Sequence, residues 1–354
     1  MKQIKGGVTA AKGYEAASTA AGIKYQGRTD MALIYSQVPC VSAGTFTTNV
    51  VKAAPVKWDR QIVDSGAGVQ AVVVNSGIAN ACTGEEGMGY CKETAEAAAK
   101  ALNIDAAGVL VGSTGVIGMQ LPMQKLVDGI QVLAGKKAEG LQSGHDAALA
   151  IMTTDTVEKE MAVEIEIGGK TVTIGGMSKG SGMIHPNMCT MLAFITTDAA
   201  ITKEALQKAL SEDVEDTYNM ISVDGDTSTN DTAILLANGL AGNQEITYAS
   251  PEYETFKEAL HMVNETLAKK MARDGEGATA LFEVKVVGAE SIKQAKTLAK
   301  SVVCSNLTKA AIAGHDANWG RILCAMGYSG VQFDPEKVDL FFESKAGKLQ
   351  IIEN

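Results

Sequence analysis

The sequence shows no segment that we expect to carry the chain into or across a membrane. No apolar run in its sequence approaches the roughly 20 residues that a bilayer-spanning helix needs. The N-terminal residues, MKQIKGG, contain no apolar core of a secretory signal. We therefore expect a protein of the cytoplasm.

The cysteines and histidines do not form a metal-binding pattern. None of the six cysteines pairs as CxxC, and the four histidines do not cluster with them. Structural zinc sites need closely spaced Cys and His ligands. We expect no metal site, and free thiols are the expectation for a cytosolic chain.

Clusters of basic residues are also lacking. The chain carries 31 Lys and Arg against 41 Asp and Glu, which gives a formal net charge of −10. Nucleic acids and anionic membranes attract basic surfaces, so neither is an expected partner. With 46% hydrophobic and 20% charged residues over 354 positions, the composition is that of a globular protein. Its length allows two or three domains, each with a sizeable core.

Helices and strands alternate without a regular repeat. The alternating runs 161–167 and 171–174 flank Gly168-Gly169 and predict a β-hairpin. Other predicted strands cover 70–75, 109–111, 233–237 and 281–287. Predicted helices cover 85–103, 122–134, 138–153, 203–219, 251–273, 291–302 and 318–326. A hairpin among irregularly alternating elements indicates an α+β or layered sandwich fold.

The segment from Lys179 to Thr190, KGSGMIHPNMCT, is the most informative part of the chain. Its glycine-rich loop ends in a small residue and a threonine, directly before the apolar run MLAFI. Cleavage of the Cys189–Thr190 bond would place the Thr190 hydroxyl beside its own α-amine. Such an amine has a pKa of about 7.7–8.0 and can act as general base. The alternative is an ordinary loop-to-strand turn with a buried threonine.

Three further motifs carry candidate ligand contacts, and each has a structural alternative. After an apolar strand, GSTG at 112–115 lets backbone N–H groups and the Thr114 hydroxyl face an oxyanion, although a strand-to-helix connection needs the same glycines. Thr153 follows a predicted helix and either binds a ligand carbonyl or satisfies the end of that helix. Glu276, in RDGEG at 273–277, is either the partner of a substrate ammonium or a solvated carboxylate.

The loop 224–231, DGDTSTND, is rich in carboxylates. It lacks the residue order of an EF-hand and the glutamate at its twelfth position. The pattern favours a hydrogen-bonded turn over a calcium site.

Together these motifs resemble the ornithine acetyltransferase family of arginine biosynthesis, the glutamate N-acetyltransferases. The resemblance runs from about Gly6 to Gly330. It is carried by AGTFTTN at 43–49, VNSG at 74–77, ANACTG at 79–84, GSTGVIG at 112–118, AIMTTD at 150–155, residues 179–192, VDGDTSTND at 223–231, RDGEG at 273–277 and NWGRIL at 318–323. Chance does not produce so many long motifs in one order.

The resemblance implies a precursor that cleaves itself before Thr190. The products would be an α chain, 1–189, and a β chain, 190–354. Thr190 would then take the acetyl group of N2-acetyl-L-ornithine, release ornithine and pass the acetyl group to L-glutamate. Such a covalent relay implies ping-pong kinetics. The implied fold is a layered α/β sandwich of the self-processing N-terminal-nucleophile type, with a smaller C-terminal α+β domain.

Site residues follow from the resemblance by motif. Thr114 and Gly115 would form the oxyanion hole, and Thr153, Lys179 and Glu276 would contact substrate. From their charges, we assign the substrate α-carboxylate to Lys179 and a positive group to Glu276. The resemblance also implies two α and two β chains, no bound cofactor, and acetyl-CoA as an additional acetyl donor in bifunctional members.

The sequence departs from the family pattern at two residues and at its C-terminal end. Cys189 replaces an alanine, but it is small, so we expect cleavage to occur. Ile78 replaces an asparagine and makes that position less polar. The chain ends at IIEN, residues 351–354, before the segment with which the family closes on its substrate. Two alternatives stay open. An autoprocessed aminopeptidase or amidase of the same fold would use the same nucleophile with water in place of the amine acceptor, and a member without the closing segment would bind ligand without turnover.

Overall fold

The structure, a computed structural model, describes residues 1–185 and 191–353. Within these residues the strands are β1 Lys2–Ile4, β2 Tyr14–Thr19, β3 Met31–Phe46, β4 Val69–Ile78, β5 Val109–Val116, β6 Lys159–Ile167, β7 Lys170–Lys179, β8 Leu192–Thr197, β9 Thr232–Ala237, β10 Leu340–Ser344 and β11 Gly347–Ile352. The helices are α1 Ala54–Ser65, α2 Glu86–Leu102, α3 Met123–Lys136, α4 Leu141–Ala150, α5 Lys203–Asp216, α6 Glu252–Arg273, α7 Ile292–Cys304, α8 Asn306–Ala313 and α9 Trp319–Gly327.

The long strand β3 connects two sheets. Its C-terminal half, from Val41, pairs with β9 and so completes a first sheet in the order β1-β6-β7-β8-β9-β3. Its N-terminal half, up to Tyr35, pairs with β2 on one side and with β4 on the other, and β5 follows β4. The register between β3 and β4 shifts between Tyr35 and Cys40, at the passage from one sheet to the other.

The two sheets lie face to face between two layers of helices. In β8, Phe194 packs with Val72 and Leu110 of the second sheet, which makes a core between the sheets. The next residue, Ile195, points the other way into a core with α5 and α6, since side chains alternate along a strand. A third core joins the outer face of the second sheet to α2 and α3. The predicted layered α+β fold is confirmed.

Strands β8 and β9 are the central strands, and their sequences reflect it. They pair in parallel, and every residue of both is buried. A strand covered on both faces is a continuous apolar run rather than an alternating one. Both strands are therefore held by pairing along their edges and by packing on each face.

The predicted hairpin is present as β6 and β7. Gly168 and Gly169 have φ of +57° and +75°. Positive φ at both central positions is the geometry of a two-residue type I′ turn, which matches the twist of the flanking strands. The turn sets the register that places Lys179 at the far end of β7.

One predicted strand is wrong. Residues 281–287 alternate between exposed and half-buried positions, but they form no strand, since no strand in the described part of the chain pairs with them. Alternation gives a segment one apolar face, yet a strand also needs a neighbour for its backbone N–H and C=O groups. Two predicted helices end earlier than expected: α4 ends at Ala150 instead of 153, and α5 ends at Asp216 instead of 219.

The residues after 290 form a smaller α+β unit of α7, α8, α9 and the antiparallel pair β10–β11. Lysines attach it to the main body: Lys300 donates to the carbonyl of Ile221 at 3.1 Å, and Lys309 donates to that of Val223 at 2.8 Å. In the part of the chain that the structure describes, no helix is long and apolar enough to span a bilayer.

Candidate active site

The candidate site lies where strands of the two sheets end against each other. The amide of Asn230, which precedes β9 of the first sheet, donates to the carbonyl of Ser113 at 2.8 Å and to that of Ala79 at 2.6 Å. Ser113 belongs to β5 of the second sheet, next to the predicted oxyanion residues. One buried amide thus ties the entry of β9 to the exit of β5.

Thr114 and Gly115 lie inside β5, beyond the predicted end of that strand. They pair with Ser76 and Gly77 of β4. Thr114 is 8% exposed. Gly115 has φ +132°, and a Cβ there would lie 2.2 Å from the carbonyl carbon of Gly77. The two strand ends approach so closely that only glycine fits, which leaves the backbone uncovered.

Ile78, the departure from the family pattern in β4, faces away from this point. Its side chain is 2% exposed and belongs to the core beneath α2 and α3. Its carbonyl accepts from the Asn75 amide at 2.9 Å. The position is apolar, as its residue type predicts.

Cys189 and Thr190, the predicted cleavage site and nucleophile, lie outside the described residues. The next residue, Met191, donates its N–H to Asp231 Oδ1 at 2.7 Å. Leu192 then pairs with Lys179 of β7 on one side and with Thr232 of β9 on the other. Asp231 therefore fixes the chain directly after Thr190.

Lys179 is a nearly buried cation at the end of β7. Its residue is 6% exposed, and its Nζ lies 4.0 Å from Asp155 Oδ2. Burial lowers the pKa of Lys179 and the nearby Lys159 adds to this, while the carboxylates of Asp155, Asp231 and Glu276 oppose it. A poorly hydrated ammonium binds a carboxylate well because water competes weakly there, although Asp155 also competes for it.

Thr153 lies in the turn after α4, and its backbone is held on both sides. Its N–H donates to Asp155 Oδ2 at 3.0 Å, and its carbonyl accepts from the Arg28 guanidinium at 3.0 Å. The Ser76 hydroxyl donates to the carbonyl of Ala150 at 2.8 Å, which attaches the end of α4 to β4 beside the oxyanion residues. The half-buried Thr153 side chain is thereby fixed next to the site.

Glu276 reaches the site from the turn after α6. Its N–H donates to the carbonyl of Ser181 at 2.8 Å, two residues after Lys179. Its carboxylate lies against Gly182, where a Cβ would be 2.4 Å from Oε1. The Ser181 hydroxyl also bonds the hydroxyl of Thr154 at 2.7 Å.

A cleft of about 470 Å³ opens beside Glu276, between the C-terminal part of α6 and the α7–α8 unit. The segment 276–284 and Lys309 form part of its wall. Thr114, Thr153 and Lys179 do not line it. Of the candidate site residues that the structure describes, Glu276 alone lines the cleft.

The structure thus brings the described site residues into one connected region. Asp155 and Ser181 link Thr153, Lys179 and Glu276, while the neighbours Asn230 and Asp231 link β5 to the start of β8. Sequence reasoning did not assign a role to Asn230 or Asp231. A signal was available: an Asn-Asp pair directly before an apolar strand is expected to be buried, and a buried carboxylate needs partners.

The loop 224–231 is held by its own aspartates. Asp224 Oδ1 accepts from the N–H groups of Ile184 and Asp226, each at 3.0 Å. Over residues 1–185 and 191–353, no group of His, Cys, Asp and Glu side chains could hold a metal ion. His185, to which we assign no catalytic role, contacts Ser222 Oγ at 3.1 Å, and burial lowers its pKa.

Comparison with known proteins gives consistent matches. The profile of the ArgJ family matches residues 15–354. The arginine biosynthesis bifunctional protein ArgJ of Thermotoga neapolitana is 53% identical over 328 residues, 92% of this chain and 82% of that protein. The ArgJ of Symbiobacterium thermophilum is 54% identical over 354 residues, 99% of this chain and 86% of that protein. The crystal structure of the Bacillus halodurans ArgJ matches with a TM-score of 0.50 and 43% identity, over 52% of this chain and 96% of that one.

Proposed function

We propose, from the premise that the chain belongs to the ArgJ family of arginine-biosynthesis enzymes, that it is an acyltransferase moving acetyl from N2-acetyl-L-ornithine to L-glutamate. The precursor first cleaves itself between Cys189 and Thr190. Thr190, now the first residue of the β chain, carries the acetyl group between the two substrates.

The relay consists of two acyl transfers at Thr190. In the first, the α-amine accepts the proton of the hydroxyl as Oγ attacks the acetyl carbon. The tetrahedral intermediate then loses the ornithine nitrogen, which takes up the proton and leaves as an amine. In the second, the amine of glutamate attacks the acetyl ester, Thr190 Oγ leaves and regains a proton, and N-acetylglutamate departs.

Thr114 and Gly115 are the proposed donors to the oxyanion in both steps. They end a buried strand whose position is fixed by β4 and by Asn230. A donor held in place before the reaction costs no reorganisation in the transition state, and loss of one donor typically costs about 3–4 kcal/mol.

Substrate recognition rests on Lys179, Glu276 and Thr153. Lys179 holds the α-carboxylate, the group that N-acetylornithine and glutamate share. Glu276 holds the side-chain ammonium of N-acetylornithine, and Thr153 contacts the substrate beside them. Lys179 is buried, Thr153 is half-buried and Glu276 is exposed, a gradation compatible with a small polar ligand that enters from the Glu276 side.

The observation that carries the proposal is the pair Asn230-Asp231. Asn230 binds the strand that bears Thr114, and Asp231 binds the N–H of Met191, the residue that follows Thr190. The residue that follows the proposed nucleophile and the strand that bears the proposed oxyanion donors are thereby attached to adjacent residues of one loop.

The enzyme is further proposed to act in the cytoplasm as two α and two β chains, without a bound cofactor. Acetyl-CoA is proposed as a second acetyl donor to Thr190, which would make the enzyme bifunctional. The acceptor half of the reaction is then common to both donors.

Purified protein tests the proposal with glutamate as acceptor and N-acetylornithine or acetyl-CoA as donor. We expect N-acetylglutamate from the first donor and, if the enzyme is bifunctional, from both. Thr190→Ala should abolish transfer, whereas Thr190→Ser keeps a hydroxyl and should retain part of it. Free acetate without N-acetylglutamate would instead identify an amidase, and binding of substrate without either product would identify a non-catalytic member.

A further inference from the structure

Lys159 is a buried charge that the proposed reaction does not use. Its side chain is 0% exposed, and its Nζ lies 2.7 Å from both Asp155 Oδ1 and Asp274 Oδ2. It also donates to the carbonyl of Val157 at 3.1 Å. A lysine is almost never fully buried unless it is paired, so these two ion pairs determine where the side chain lies.

Asp155 extends the network to two segments of the site. Its Oδ1 accepts from the N–H of Gly180 at 2.6 Å, directly after Lys179. Its Oδ2 accepts from the N–H of Thr153 at 3.0 Å. The carboxylate that Lys159 binds therefore holds the turn after α4 against the end of β7.

Asp274 extends the network to the third segment. It accepts from the N–H of Thr156 at 3.0 Å and also from the Thr156 hydroxyl. It lies two residues before Glu276, in the turn that ends α6. The second carboxylate that Lys159 binds therefore holds the turn after α6 against the turn after α4.

The three segments joined at Lys159 are the three that carry Thr153, Lys179 and Glu276. We infer that Lys159 is a positioning residue for substrate binding, since its ion pairs with Asp155 and Asp274 set the relative positions of these three side chains. The inference rests on the proposed function, because it assumes that the three side chains bind the substrates.

The charges of the network support the same role. Burial alone would raise the pKa of Asp155, but Lys179 and Lys159 hold it below its ordinary value. Burial likewise opposes ionisation of Asp274, and Lys159 and Thr156 keep its pKa low. Without Lys159, the cation that could pair with Asp155 would be Lys179, whose Nζ lies 4.0 Å from Asp155 Oδ2. A closer Lys179–Asp155 ion pair would occupy the Lys179 ammonium, which is the proposed partner of the substrate carboxylate.

Lys159→Met, which keeps length but removes charge, tests the inference in the processed enzyme. We expect KM to rise about tenfold or more for both N-acetylornithine and glutamate, while kcat changes by less than about threefold. Lys170→Met is the matched control, because Lys170 is exposed at the other end of the same hairpin. It should leave both constants unchanged.

Two further measurements separate positioning from stability. Hydrogen exchange at the N–H groups of Gly180 and Thr156 should be faster in Lys159→Met and unchanged in Lys170→Met. Lys159→Met with Asp274→Asn removes a buried carboxylate along with its partner, so it should recover thermal stability but not KM. Recovery of both would make the role merely structural and overturn the inference, as would unchanged KM and exchange in Lys159→Met.

If Lys159→Met does not fold, Asp274→Asn alone decides. It keeps the Lys159–Asp155 pair, which joins the segments of Thr153 and Lys179, and weakens the bonds of Asp274 that hold the turn of Glu276 to them. KM should therefore rise for N-acetylornithine more than for glutamate. An equal or absent change overturns the inference. Acetyl transfer by the wild-type protein tests the proposed function. The exchange measurement does not depend on turnover, so it tests the positioning role of Lys159 separately.

Discussion

Gly115 offers the sharpest test of the proposed oxyanion hole, because the structure supplies a control three residues away. Gly115 has φ +132°, and a Cβ there would lie 2.2 Å from C and 2.4 Å from O of Gly77. Gly118 also has positive φ, +75°, but a Cβ there would meet nothing within 4 Å. Gly118→Ala therefore measures the cost of a positive φ without a collision.

The two costs differ in size. Alanine at positive φ costs about 1–2 kcal/mol, which is all that Gly118→Ala should lose. Gly115→Ala adds a collision that no side chain can relieve, because both contacting atoms are backbone. The ends of β4 and β5 must then separate, and displacement of an oxyanion donor reduces kcat about 10²–10³-fold.

Acetyl transfer from N-acetylornithine to glutamate, together with thermal unfolding, is the assay. We expect Gly115→Ala to lose transfer by this factor in protein that is still folded, and Gly118→Ala to stay within about threefold of wild type. Equal losses in the two variants, or a Gly115→Ala enzyme with more than about a tenth of wild-type kcat, would refute this account of the strand ends.

Three other predictions follow from single contacts. Asp231→Ala leaves the Met191 N–H without its acceptor, at a cost of about 1–3 kcal/mol. Gels should therefore show more uncleaved precursor for Asp231→Ala than for Asp231→Asn, which keeps an acceptor oxygen; equal processing of the two variants would contradict this. Glu276→Gln should raise KM for N-acetylornithine about tenfold and leave that for glutamate nearly unchanged, and equal shifts would exclude the assigned ammonium contact. Burial raises the pKa of Asp59 well above its usual value, so its contribution to stability is complete below about pH 3.9 and is lost as pH rises toward the folded value. Asp59→Asn should therefore reduce the fall in melting temperature from pH 5 to pH 8, whereas the exposed Asp64→Asn should not, and identical pH profiles would refute the assignment.

Local patterns predicted those elements whose formation depends on their own residues. The β6–β7 hairpin follows from two alternating runs and a Gly-Gly turn, and α2 and α6 follow from helical periodicity. The predicted strand 281–287 shows the limit, because its pattern is right for a strand but no described strand pairs with it. The β3 strand was not predicted because its two halves belong to different sheets, so no single alternation runs through it.

The candidate site divides in the same way. Lys179, Thr153 and Glu276 were assigned to the site through motifs, each a few residues long. Asp231 was part of a recognised polar loop, but its bond to Met191 joins residues 40 positions apart in the chain. Lys159 shows no pattern at all, since its alternating strand gives no reason to expect a buried charge. Such roles depend on tertiary contacts, which one sequence does not record.

The central claim is that Thr190 carries the acetyl group as the first residue of a separate chain. Mass spectrometry of intact protein, incubated with N-acetylornithine and then with glutamate, tests it most directly. We expect two chains in place of one of 36.9 kDa, a β chain that gains one acetyl group on Thr190, and loss of that group when glutamate is added. Ornithine release from an uncleaved chain, or from a β chain that never carries acetyl at Thr190, would contradict the account.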